Sequence, residues 1–200
     1  MDIVLATKNR KKAEEMGRIF DGYDVRFITL DSFPGCPDVE EDGKTFRANS
    51  LKKARAVSAF TGRPAIADDS GLEVMALGRA PGVYSARYAG EGATDSLNVR
   101  KLLQEMKGLE GEDRAARFVC CLALVLPDGH HKTFTGYVYG SIGKKEKGSN
   151  GFGYDPLFYP EGHDRTFAEM TAPEKDAMSH RGRALKKLHQ YLITLPQSKS

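Results

Sequence analysis

The apolar segment Val119 to Leu126 sets the first limit on the fold of the chain. It is far too short to cross a bilayer, which takes roughly 20 apolar residues as a helix. With Phe118 in front, it is the most strand-like segment of the sequence. Asp128-Gly129 and a return strand from Lys132 to Tyr139 complete a hairpin. Ahead of this hairpin, strands and helices alternate. Asp2 to Thr7 reads as a short buried strand, and Ala13, Met16, Ile19 and Phe20 then recur at helical spacing up to the turn at Asp21-Gly22. Tyr23 to Leu30 suggests a second strand, and an acidic, Pro/Gly-rich stretch runs on to Gly43. Phe46, Leu51, Ala54, Val57 and Phe60 mark a second helix, which Gly62 ends. Strands are expected at Pro64 to Ala67 and Leu72 to Leu77, around Asp68-Asp69-Ser70-Gly71. A helix is expected from Thr94 to Met106, with Leu97, Leu102 and Leu103 on one side and Gly108 as its stop. Thr171 with Glu174 looks like a capping box, and a break near Ser179 separates it from a final helix carrying Leu185, Leu188 and Leu192. Antiparallel pairing joined to βα units predicts an α/β or mixed-sheet fold, one domain over residues 1–195 with 196–200 as a frayed tail.

Composition matters mainly for what it excludes. Of 200 residues, 30 are Lys or Arg and 27 are Asp or Glu, a net charge of +3. That falls well short of the basic stripe expected for a protein held to nucleic acid by its phosphates. Met1-Asp2-Ile3-Val4 lacks the basic region and apolar stretch of a signal peptide, so the chain is expected to stay in the cytoplasm. Cys36, Cys120 and Cys121 make an odd count with no Cys-x-x-Cys, which suits a reducing compartment and no zinc site.

Three segments carry chemistry. Thr7-Lys8-Asn9-Arg10-Lys11-Lys12 sits where the first strand hands over to the first helix, a place where free N–H groups and the helix dipole favour an anion. With Asn9 as N-cap, three cations fill the first turn, each disfavoured by roughly 0.3–1 kcal/mol unless something negative is bound. A solvated basic face is the competing reading. The segment is no P-loop: Gly143 and Gly148 have the right separation but continue as Ser149-Asn150. In the second segment, the apolar strand Pro64 to Ala67 runs directly into Asp68 and Asp69. Either could supply an oxygen ligand to Mg²⁺ while the other orients water, or both could satisfy a local Asp-Ser-Gly turn. Glu40-Glu41-Asp42 reads first as a cap or dipole partner of the second helix. A metal carboxylate from this group becomes credible only if that helix starts beside Asp69. The third segment, Gly148 to Pro156, offers glycines for close approach and Phe152 and Tyr154 as flat faces for a base, or a turn whose aromatics fill a small core. Lys175, His180 and Arg181 cluster around the helix break. His130, His131, His163 and His189 have no ligand spacing, and no nucleophile elbow is present.

Several segments together resemble the inosine triphosphate pyrophosphatase family. They are Thr7-x-Asn9-x-x-Lys12, Glu41-Asp42-Gly43 with Thr45-Phe46 and Asn49, Ala67 to Gly71, Pro81 to Tyr88, Gly151 to Pro156 and Ser179 to Gly182. The match runs in order over nearly the whole chain, and Lys8 falls at a variable position. The resemblance implies a mixed central sheet flanked by helices, with two lobes and a nucleotide-binding cleft between them, and a homodimer. It also implies Mg²⁺-dependent hydrolysis of inosine, deoxyinosine and xanthosine triphosphates to monophosphate and pyrophosphate. By motif, Glu41 and Asp69 would hold metal and Asp69 would be the general base. Thr7, Asn9 and Lys12 would contact the triphosphate, with Lys8, Arg10 and Lys11 of the same segment beside them. Ser70, Phe152, Gly153, Tyr154, Asp155, Lys175, His180 and Arg181 would line the substrate site, the last two near the base. A Maf-type pyrophosphatase preferring pyrimidine or modified nucleotides is one alternative, disfavoured by Ser179-His180-Arg181-Gly182. A nucleotide- or RNA-binding module without chemistry is the other.

Overall fold

The computed structural model describes residues 1–194, so the tail expected at 196–200 lies outside the described residues. The elements follow in the order β1 (Asp2–Leu5), α1 (Arg10–Ile19), β2 (Arg26–Thr29), α2 (Phe46–Thr61), β3 (Ala65–Val74), α3 (Asp95–Glu105), β4 (Ala115–Val125), β5 (His131–Ile142), β6 (Phe158–Pro160), α4 (Ala172–Met178) and α5 (His180–Leu192). The strands form one six-stranded sheet in the order β2-β1-β3-β4-β5-β6. β1 pairs in parallel with both β2 and β3, while β5 and β6 are antiparallel, so the sheet is mixed and the fold α/β.

The chain divides into two compact units. The first comprises Met1–Asp69, Cys121–Gly136 and the residues from Arg181 onward; the second comprises Ser70–Cys120 and Tyr137–His180. In the first unit, Val4, Ala6, Ala65, Ala67, Ala123 and Val125 pack against Leu51, Ala54 and Val57 of α2. Small alanines on the strands leave room for α2, whose N-cap Thr45 accepts from Ala48 N–H and whose C-cap is Gly62. In the second unit, Leu72, Val74, Phe118, Val138, Ile142 and Phe158 from the strands bury Val99, Leu102, Tyr154, Phe167 and Met170.

The structure corrects several expectations. Pro64 to Leu77 does not form two strands around a turn: β3 runs unbroken through Asp68-Asp69-Ser70-Gly71, and Met75–Leu77 is a 3-10 turn. Both carboxylates find partners on helices, so neither needs a local Asp-Ser-Gly turn. The second strand is confined to Arg26–Thr29, because Tyr23 closes a turn onto Phe20 and Leu30–Ser32 coils into a 3-10 turn. Phe60 is 48% exposed and Leu97 40% exposed, so the buried faces of α2 and α3 are narrower than the apolar spacing suggested. Glu40-Glu41-Asp42 does not cap α2: Thr45 does, and no acidic residue lies in the first turn. The capping box of Thr171 and Glu174 and the break at Ser179 are both present.

Candidate active site

The two aspartates of β3 illustrate how strand geometry creates a site. Side chains alternate along a strand, so Ala65, Ala67 and Asp69 share one face while Ile66 and Asp68 share the other. The alanines of the first set pack on α2, and Asp69 accordingly meets that helix, its Oδ2 accepting from Asn49 Nδ2 at 2.9 Å. Asp68, on the opposite face, accepts at one oxygen from Lys12 Nζ of α1 (2.9 Å) and Arg181 Nη2 (3.2 Å), and Arg181 Nη1 also donates to Glu15. Lys12 and Glu15 stand one helical turn apart on α1, which places both on the side facing Asp68. Asp68, Glu15 and Arg181 are buried, and Lys12 is 16% exposed.

One turn beyond Asn49 on α2, Lys53 Nζ donates to Glu41 Oε1 at 2.5 Å and to the carbonyl of Asp68 at 2.6 Å. Glu41 is thus held beside the second helix and close enough to Asp69 to act on its charge. Asn49, in the first turn of α2, bonds Asp69, so the helix does start beside that carboxylate, as a metal carboxylate from Glu40-Glu41-Asp42 would require. Burial, chiefly, and the negative charge of Glu41 push Asp69 up from 3.8 to about 6, against the pull of Lys53, Asn49 and Lys12. Asp68 moves the other way. Its burial is outweighed by Lys12, Arg181 and Lys53, which hold its carboxyl far below the usual range. Adjacent residues therefore have opposite characters: Asp68 is a permanent anion, and Asp69 is a base near neutrality.

Mg²⁺ commonly takes one or two protein carboxylates, with substrate phosphates and water as its other ligands. No group of three or more His, Cys, Asp or Glu side chains assembles a metal site among the described residues. Glu41 and Asp69 do bring two mutually repelling carboxylates together, and that partial donor set fits a hard cation completed by substrate.

The basic segment ahead of α1 has the expected geometry. Asn9 is the N-cap, accepting from Lys12 N–H at 3.2 Å; Thr7 Oγ1 accepts from Asn9 N–H at 3.1 Å; and no acidic residue occupies the first turn. Lys8, Arg10 and Lys11 are exposed, and Lys8 pairs with Asp38 at 2.9 Å.

Glu41, Asp69 and the residues of α1 belong to the first unit, as does Arg181. Thr7, Lys8 and Asn9 lie in the first unit as well, and Ser70, Phe152, Gly153, Tyr154, Asp155, Lys175 and His180 lie in the second. There Asp155 Oδ2 accepts from Lys175 Nζ at 2.7 Å and from Phe152 N–H at 2.9 Å, both groups of the ion pair being buried. The Lys175 ammonium lies 4.8 Å from the centroid of the half-buried Phe152 ring. A Cβ on Gly151, at φ +75°, would fall 2.1 Å from Asp155 Oδ2, so only glycine fits. Tyr154 is a core residue whose hydroxyl donates to the carbonyl of Ser85 at 2.9 Å. His180 stacks on Phe118, the ring centroids 4.8 Å apart. Ser70 is half-buried on β3. Lys53, Asn49 and Glu15 received no role from sequence. The i, i+4 spacing of Asn49 and Lys53 and the i, i+3 spacing of Lys12 and Glu15 are the signals that could have found them.

A mixed α/β fold presenting buried carboxylates and cations beside a basic helix N-terminus defines the structural class. The sequence model of the Ham1 family matches residues 3–191, and the chain belongs to that family. It is 49% identical over 190 residues to a dITP/XTP pyrophosphatase from Geobacter sulfurreducens, covering 95% of this chain and 96% of the relative. A dITP/XTP pyrophosphatase from Bacillus licheniformis is 48% identical over 193 residues, covering 96% and 97%. Among solved structures, a HAM1 protein from Coxiella burnetii superposes with a TM-score of 0.89 at 43% identity, covering 98% of this chain and all of that one. The Staphylococcus aureus Ham1 protein gives 0.87 at 41% identity, covering 96% and 98%.

Proposed function

We propose that this protein is a Mg²⁺-dependent pyrophosphatase that hydrolyses inosine, deoxyinosine and xanthosine triphosphates to monophosphate and pyrophosphate, clearing deaminated purines from the cytoplasmic nucleotide pool. The observation that carries the reading is Asp69: a buried carboxylate raised to about 6, beside Glu41 and Lys53, in a chain nearly half identical to dITP/XTP pyrophosphatases. At neutral pH it is mostly ionised yet basic enough to take a proton, which suits a general base activating water. Bound Mg²⁺, held by Glu41 and Asp69, would supply charge neutralisation for the phosphates. Lys12 and the α1 N-terminus, from Thr7 and Lys8 to Arg10 and Lys11, receive the triphosphate. Asp68 stays ionised and keeps Lys12 at the site.

Purine recognition is assigned to Phe152, Gly153, Asp155, Lys175 and His180, with Tyr154 and Ser70 supporting them and Arg181 acting through Asp68. Inosine and xanthosine carry an acceptor at position 6 where adenosine carries an amino donor, so donor groups would be left unpaired by ATP. A homodimer is carried with this reading. Asp69→Asn is expected to cut turnover of inosine triphosphate by orders of magnitude in a folded protein. Near-normal turnover would remove Asp69 from the reaction.

A further inference from the structure

Two carboxylates fix the backbone on either side of Phe152, and only one of them belongs to the loop that carries it. Phe152 N–H donates to Asp155 Oδ2, within the loop. The next N–H along the chain, that of Gly153, donates to Asp95 Oδ2 at 2.9 Å, across 58 residues of sequence. Asp95 is the first residue of α3, directly after the N-cap Thr94, whose hydroxyl accepts from Leu97 N–H. The helix start therefore holds its own first turn through Thr94 and directs the neighbouring carboxylate outward. Gly153 has φ +61°, and a Cβ there would meet nothing within 4 Å, so the glycine is required by the backbone conformation and not by crowding. That conformation turns the Gly153 N–H onto Asp95.

We propose that Asp95 is a specificity-determining positioning residue: by accepting the Gly153 N–H it holds the Phe152 ring, beneath the Lys175 ammonium, in the one placement that receives the preferred purine. The inference rests on the assignment of the Phe152 loop to purine recognition. A ring tethered at the peptide groups on both sides is a preorganised platform, so the ordering cost is met in folding and not on binding. Loss of the Asp95 tether frees the Phe152–Gly153 peptide and with it the ring, while Asp69, Glu41, Lys53 and Lys12 are untouched.

The experiment is steady-state kinetics of the full chain with inosine triphosphate and ATP, for the wild type and Asp95→Ala, Asp95→Asn and Phe152→Ala, with melting curves for each. Asp95→Ala is expected to raise KM for inosine triphosphate about five- to tenfold, the scale of one lost hydrogen bond, with kcat within about twofold and a reduced preference over ATP. Asp95→Asn keeps an acceptor oxygen and is expected to restore most of the KM. Kinetics unchanged in Asp95→Ala while Phe152→Ala raises KM would overturn the proposal. So would equal defects in Asp95→Ala and Asp95→Asn, or a loss in kcat alone. An unaffected Phe152→Ala would instead overturn the assignment of the loop to the purine, a separate failure.

Discussion

Replacing Asp69 by asparagine is expected to stabilise the fold near neutral pH while abolishing its chemistry. The folded-state value of about 6, against 3.8 for an unperturbed aspartate, means that the folded protein binds this proton more tightly than the unfolded chain. The stability contributed by that proton is fully present below 3.8 and is lost as the pH rises through about 6. A shift of about two units corresponds to about 3 kcal/mol, so above about pH 7 the wild type has given up stability that a neutral isostere keeps. Asparagine retains an oxygen for Asn49 Nδ2 and removes the repulsion with Glu41. Urea denaturation of both proteins, in chelator so that no divalent ion stabilises the wild type, is the assay. The variant should exceed the wild type by about 3 kcal/mol near pH 8, and the difference should fade toward zero near pH 4. Acid-linked groups common to both proteins, Asp68 among them, cancel in the comparison. A difference that stays constant with pH, or a variant less stable than wild type near pH 8, would refute the reasoning.

Asp68 should behave in the opposite way. Asp68→Asn leaves Lys12 and Arg181 without the anion they share and is expected to cost about 3–5 kcal/mol of stability at neutral pH, read by the same denaturation assay. Lys53→Met removes a cation that pulls the Asp69 value down, so the acid limb of the kcat/KM profile should move to higher pH as turnover falls. An acid limb that stays in place would separate Lys53 from Asp69.

How much of this was legible in the sequence differs from element to element. Asn9, Gly62, the Thr171–Glu174 box and the hairpin at Asp128-Gly129 were readable because caps and tight turns are local, decided by a few neighbouring residues. The continuity of β3 was not. Asp68-Asp69-Ser70-Gly71 has the composition of a turn, but β3 is held between β1 and β4 in the sheet, and its carboxylates take their partners from Asn49, Lys12 and Arg181, which are distant in sequence. For the same reason Glu41 read as a helix cap, although its partner Lys53 lies two turns into α2. Asp69 was identifiable as a candidate. The opposite electrostatic character of Asp68 was not, because it depends on which face of the strand each side chain takes. Tyr154 illustrates the limit of residue type as a guide: an aromatic in a glycine loop suggested a face for a base, and it packs in the core with its hydroxyl on Ser85.

The most direct test of the account is to incubate the purified protein with inosine triphosphate and with ATP, each with Mg²⁺ and with chelator, and to identify the products. Rapid, Mg²⁺-dependent formation of inosine monophosphate and pyrophosphate, with ATP largely spared, is expected. Release of orthophosphate in place of pyrophosphate, equal turnover of ATP, or full activity in chelator would contradict it.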